Sequence, residues 1–163
     1  MISIRRLPRA RWAAYRKLRL EALKSDSPAF GSSYGEEVKM PPDVWRQRIT
    51  DVLFAVSGGV PIGMVSVVFS DRVKTRHLAF IYGLYVTPGH RGKGVGTTLI
   101  DAVIAKVRKN RNILKVELSV NPEFRAALSI YQKAGFLTTG RAAGELKVGR
   151  RFYDLLNLEL RMK

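Results

Sequence analysis

The run Leu84–Ile104, LYVTPGHRGKGVGTTLIDAVI, constrains the fold more than any other part of the chain. It is entered from a strand-like apolar segment, HLAFIYGLYV. It leads into a segment whose Leu99, Ile100, Val103, Ile104 and Val107 share one helical face. Strand, glycine loop and amphipathic helix in that order make a crossover unit, which requires a sheet with helices packed on it. Between the two elements, Gly92, Gly94 and Gly96 let the backbone approach a ligand closely. The free N–H groups and positive end of the helix then converge on one place, with Arg91 and Lys93 beside it. Such a loop suits a pyrophosphate and needs no metal.

Two other phosphate loops do not fit. An ATPase loop that begins at Gly89 finds its next glycine at Gly94, but Val95 stands where its lysine must be and Gly96 where its hydroxyl must be. A dinucleotide fingerprint that begins at Gly94 and Gly96 meets Leu99 at its third glycine.

The rest of the chain reads as mixed α/β around one sheet, within a single domain over residues 1–163. Ile2–Ile4 suits a short strand, and Trp12, Tyr15, Leu18 and Ala22 recur at helical spacing. SDSPAFGSSYGEE reads as a loop, and Pro42 opens a short helix that presents Val44, Trp45 and Ile49. Val52–Phe69 carries no charge, but Ser57-Gly58-Gly59 and Pro61 interrupt it, so two strands about a turn are expected rather than a membrane span. ILKVELSV alternates as a strand. Asn121-Pro122 starts a helix that presents Phe124, Ala127, Leu128 and Tyr131, and Gly135 stops it. Two more strand-like runs follow. The opening MISIRRLPRARW is no secretory signal, so the expected location is cytoplasmic.

Composition excludes some chemistry. Without cysteine there is no disulfide, thiolate nucleophile or cysteine metal site, and His77 and His90 are too far apart for a zinc helix. The net charge of +16 suits a polyanionic partner, a phosphate-rich cofactor or simply solubility.

The loop resembles the acetyl-CoA signature of the GNAT superfamily of N-acetyltransferases, with Arg91, Gly94 and Gly96 at its fixed positions. ALSIYQKAGF is similar to the family's later helix, which ends in Tyr131, Gly135 and Phe136. The likeness extends to the front segment, RLEALKSDSPAFGSSYGEE, and the closing one, RRFYDLLNLELRM. It implies a central, mostly antiparallel, twisted sheet flanked by helices, with strands splayed at the cofactor site. It also implies acetyl transfer from acetyl-CoA to a primary amine by direct attack, with no metal, and it allows a homodimer. The pyrophosphate would lie on Arg91, Gly92, Lys93, Gly94, Val95 and Gly96, and Leu84, Tyr85 and Val86 would run beside the pantetheine arm. A backbone N–H near Leu84–Val86 would polarise the thioester carbonyl. Tyr131 would return a proton to the thiolate as general acid, although packing alone also explains it.

This sequence departs from the family twice. Phe124 stands where many members have a cofactor-contacting asparagine; Asn121 could substitute or could cap the helix. Phe80 lies near the position of a common glutamate base, which leaves Glu36, Glu37, His77 or a bound water as candidates. Glu36 and Glu37 would favour a cationic acceptor such as a polyamine, an aminoglycoside or a lysine side chain, whereas the net charge favours an acidic or nucleic-acid-associated one. The competing class is a nucleic-acid-binding module that keeps the fold without activity, but its aromatics do not interleave with basic residues on one strand.

Overall fold

A computed structural model describes residues 1–163. Seven strands form one mixed sheet: β1 (Ile2–Arg5), β2 (Val52–Ser57), β3 (Val60–Phe69), β4 (Leu78–Val86), β5 (Lys115–Val120), β6 (Leu137–Val148) and β7 (Arg151–Arg161). The order across the sheet is β1-β2-β3-β4-β5-β7-β6. Only β4 and β5 run parallel; every other pair is antiparallel. The helices are α1 (Trp12–Ser25), α2 (Tyr34–Glu37), α3 (Pro42–Arg48), α4 (Val95–Arg108) and α5 (Arg125–Lys133). The expected mixed α/β architecture is therefore the observed one.

The charge-free run is the β2–β3 hairpin. Gly58 and Gly59 both take positive φ at its turn (55° and 78°), a conformation whose twist matches that of the flanking strands. No helix is long and apolar enough to cross a membrane. β2 needs no polar face because both of its faces are covered. Leu53 and Ala55 pack with Leu99, Ile100, Val103 and Val107 of α4. Val52, Phe54 and Val56 point the other way, into a second core with Tyr15, Leu18 and Leu23 of α1 and Trp45 of α3.

Two irregularities open the middle of the sheet. β4 carries a bulge where its register against β3 jumps from Met64↔Tyr85 to Ser66↔Tyr82, and Gly83 sits there at φ +63°. β4 then pairs with β5 only over Leu78–Phe80, opposite Lys115–Glu117. Beyond Glu117, β5 continues on β7 as far as Val120↔Leu156, so the second half of β4 is left with a free edge. The expected strand splay is this gap.

YGEE, expected within a loop, folds as the short helix α2, because the Ser33 side chain accepts a hydrogen bond from the Glu36 N–H and caps it. The Asn121 helix start is also corrected: α5 begins at Arg125 with Phe124 as its cap. Asn121 instead folds the preceding turn, where its Oδ1 accepts from the Glu123 N–H at 3.0 Å and its carbonyl accepts from the Phe124 N–H at 3.0 Å.

Candidate active site

One cavity of about 1090 Å³ runs from the start of α4, through the gap between β4 and β5, to the face of the sheet that α1 covers. Its walls are built by the loop that follows β4, the turn and helix after β5, and the end of α1.

At the α4 end, Gly92 and Gly94 have φ of 74° and 80°, and a Cβ on either would meet no other atom within 4 Å. The chain needs glycine there for the left-handed turn, and the turn leaves bare backbone facing open space. Gly94 is the N-cap of α4 and no side chain caps the helix, so its first N–H groups stay available. Gly96 is different. A Cβ there would lie 2.8 Å from Ile130 Cδ1, so this glycine serves the close packing of α4 on α5.

The Arg91 guanidinium is already committed. Its Nε donates to the Val86 carbonyl at 2.7 Å, its Nη2 donates to Asp26 at 2.9 Å, and it lies 5.3 Å over the Tyr85 ring. It fastens the loop to the end of β4 and to the end of α1. Lys93 lies outside the cavity wall, with Nζ 3.4 Å from the Gly89 carbonyl. Arg91 still lines the cavity and brings its charge there, while the glycine turn adds bare backbone N–H groups.

Leu84, Tyr85 and Val86 line the gap, yet the Tyr85 side chain turns into the α1 core and donates to Glu21 at 2.8 Å. Across the gap, Phe124 and Tyr131 line the wall. Asn121 lines it too, but its Nδ2 donates to the Pro28 carbonyl at 3.0 Å while its Oδ1 holds Glu123, so both of its polar atoms already have partners. Tyr131 is 5% exposed, packs edge-on to Phe136, and its hydroxyl bonds to no protein group. No buried side-chain N or O lacks a partner, so this hydroxyl reaches the cavity. Burial pushes its pKa well above that of an ordinary phenol, and it remains a proton donor at any working pH.

None of the expected base positions faces the cavity. Glu36 is exposed at the α2 cap, and His77 is exposed beyond the wall at the start of β4. Glu37 is 1% exposed and accepts from Arg19 Nε and Nη2, both at 3.0 Å, and from Arg48 Nη1 at 3.1 Å. Burial acts to raise its pKa, but the hydrogen bonds and charges of the two arginines outweigh that and hold it below the ordinary glutamate value. A carboxylate held this way is a poor proton acceptor.

A model of the Acetyltransferase (GNAT) family matches residues 14–136. The chain belongs to this family. An uncharacterized N-acetyltransferase of Methanocaldococcus jannaschii is 32% identical over 57% of this chain and 42% of its own. The spermidine N(1)-acetyltransferase of Vibrio cholerae is 27% identical over 58% and 53%. The match thus spans about half the length of these two relatives. The L-amino acid N-acyltransferase MnaT of Escherichia coli is 26% identical over 84% of this chain and 87% of its own. Among solved structures, YncA of Salmonella typhimurium, which holds acetyl-CoA, superposes with a TM-score of 0.86 at 20% identity over 100% of this chain and 95% of that one.

The GNAT cavity also holds charged residues that sequence reasoning missed. Glu117 on β5 lies opposite Phe80 on β4 and opposite Glu159 on β7, and both glutamates line the cavity. Lys115 joins them, at 2.9 Å from Glu117 and 3.2 Å from Glu159. The carboxylate absent at Phe80 is thus present one strand away. The alternation in KVELSV put Lys115, Glu117 and Ser119 on one face, but nothing in it showed that the cavity lies there. Arg19, at the α1 end, lines the cavity as well.

Proposed function

We propose that this chain transfers an acetyl group from acetyl-CoA to a primary amine by direct attack. The observation that carries the reading is the continuous cavity, which joins an uncapped helix start, a free strand edge and the Tyr131 hydroxyl. Acetyl-CoA supplies an activated thioester with a thiolate leaving group. The backbone of Gly92–Gly96 would hold its pyrophosphate, which fits positive-φ glycines that face open space. The free edge of β4 offers N–H and C=O groups to an amide-bearing arm, as to an added strand. Next to the bulge, a backbone N–H of Leu84–Val86 would polarise the thioester carbonyl.

Tyr131 would protonate the departing sulfur as the new C–N bond forms and the C–S bond breaks. Glu117 takes the place of the earlier base candidates. It would accept the amine's proton through a relay of water, with Lys115 holding one of its oxygens. The reading is tested by melting temperature with and without acetyl-CoA, followed by an amine screen for CoA release. Ligand at a hundred times its Kd adds about 2.7 kcal/mol of stability. A melting temperature unmoved by saturating acetyl-CoA would refute the reading, and a shift with nucleic acid alone would favour a binding module.

A further inference from the structure

Arg19 leaves one guanidinium nitrogen without a partner on the acceptor side of the cavity. The residue is 8% exposed, and a buried guanidinium must be paired. Glu37 takes Nε and Nη2 in a two-pronged bond, both at 3.0 Å, and also accepts from Arg48 at 3.1 Å. Two guanidinium groups therefore share one carboxylate, and the cluster carries a net positive charge. No other acid bonds to it: Asp26 is paired with Arg91, Glu21 accepts from Tyr85, and Glu117 and Glu159 flank Lys115.

The third nitrogen of Arg19, Nη1, bonds to nothing in the chain. It is not sealed away, since no buried side-chain N or O is without a partner, and Arg19 lines the cavity. Its position is set by the bulge: a Cβ on Gly83 would sit 3.0 Å from Nη1. Glycine at φ +63° therefore both turns the strand and makes room for the guanidinium. Phe30 packs against the other side, with its ring centroid 5.1 Å from Cζ.

Resting on the acetyl-transfer reading above, we infer that the acceptor is a small amine that also carries a carboxylate, and that the carboxylate docks on Arg19 Nη1 beside Gly83. A guanidinium with a free N–H is the natural partner for that group. Gly83 adjoins the backbone that would face the thioester, so amine and carboxylate must lie only a few bonds apart, as in an α-amino acid. Glu117 and Glu159 sit at the other end of this face, opposite Phe80, three residues or about 10 Å along β4.

The test compares CoA release by the full chain with L-leucine, L-methionine and L-phenylalanine, their carboxamides, the corresponding simple amines, and spermidine. The amides have less basic amines, so intrinsic reactivity favours them. The expected result is at least a tenfold higher kcat/KM for the acids. Arg19→Gln should erase that preference, read within the variant as the ratio of kcat/KM for each acid to that for its own amide, with the loss falling on KM for the acids. Because Arg19→Gln also disturbs Glu37, melting of the CoA-bound wild-type chain is measured with N-acetyl-L-leucine and with its amide. A larger shift with the acid supports the inference. Equal or better use of amides or spermidine, equal shifts, or an acid-to-amide ratio left unchanged by Arg19→Gln would each overturn it, with acetyl transfer intact. If acetyl-CoA neither stabilises the chain nor is consumed, both readings fall.

Discussion

Replacing Glu37 by glutamine separates the structural role of this residue from the catalytic one first expected of it. The carboxylate is 1% exposed and receives three charged hydrogen bonds, at 3.0, 3.0 and 3.1 Å. Glu37→Gln removes the negative charge, turns one acceptor oxygen into a donor facing a guanidinium, and leaves two buried or half-buried cations side by side. Breaking a buried pair in this way costs about 3–5 kcal/mol. For a chain of this length that amounts to a fall of roughly 6–20 °C in melting temperature. The sign with pH follows from the lowered pKa of Glu37. A depressed carboxylate contributes stability above its unfolded value, about pH 4.3, and loses it as pH falls through the folded value. The gap between wild type and variant should therefore be full at pH 7 and begin to narrow as pH falls below about 4.3, so that it is smaller at pH 3. Urea melts of both proteins from pH 3 to 8 measure it. A gap under about 1 kcal/mol at pH 7, or one of equal size at pH 3, would refute the argument, since either would mean that the pair contributes little net.

The two kinds of loop glycine should also separate. Gly94→Val forces a side chain into positive φ and should weaken acetyl-CoA binding at least tenfold by calorimetry, whereas Gly96→Val collides with Ile130 and should lower stability by about 1–3 kcal/mol. Tyr131→Phe should cut kcat about 10²-fold with acetyl-CoA affinity unchanged, and an unaltered kcat would return the residue to packing against Phe136. Glu117→Gln should lower kcat/KM by a similar factor near neutrality, and the defect should shrink at alkaline pH, where the amine is already neutral; a constant defect would leave Glu117 without a proton-transfer role.

Where the sequence had periodicity, it located the elements. Alternation marked β5 and helical spacing marked α1 and α4, because faces repeat every two or 3.6 residues whatever packs against them; the other strands showed as apolar runs cut by turn residues, and Pro42 marked the start of α3. The misread segments were the polar ones. YGEE and the start of α5 were settled by single side-chain bonds from Ser33 and Asn121, which carry no periodic signal.

By itself the sequence determined that a strand, a glycine loop and a helix follow one another, with Gly92 and Gly94 in conformations that other residues resist. It also put Tyr131 on the helix that follows β5. Only the tertiary structure decided which carboxylates meet the cavity. Glu37, itself one of the base candidates, is claimed by Arg19, eighteen residues away. Glu117 gains its place because β5 lies between β4 and β7 and parts from β4 just beyond it. Strand alternation fixes which side chains share a face, but what that face looks onto depends on strand order and splay. Those are set by contacts between distant segments and leave no mark on local spacing.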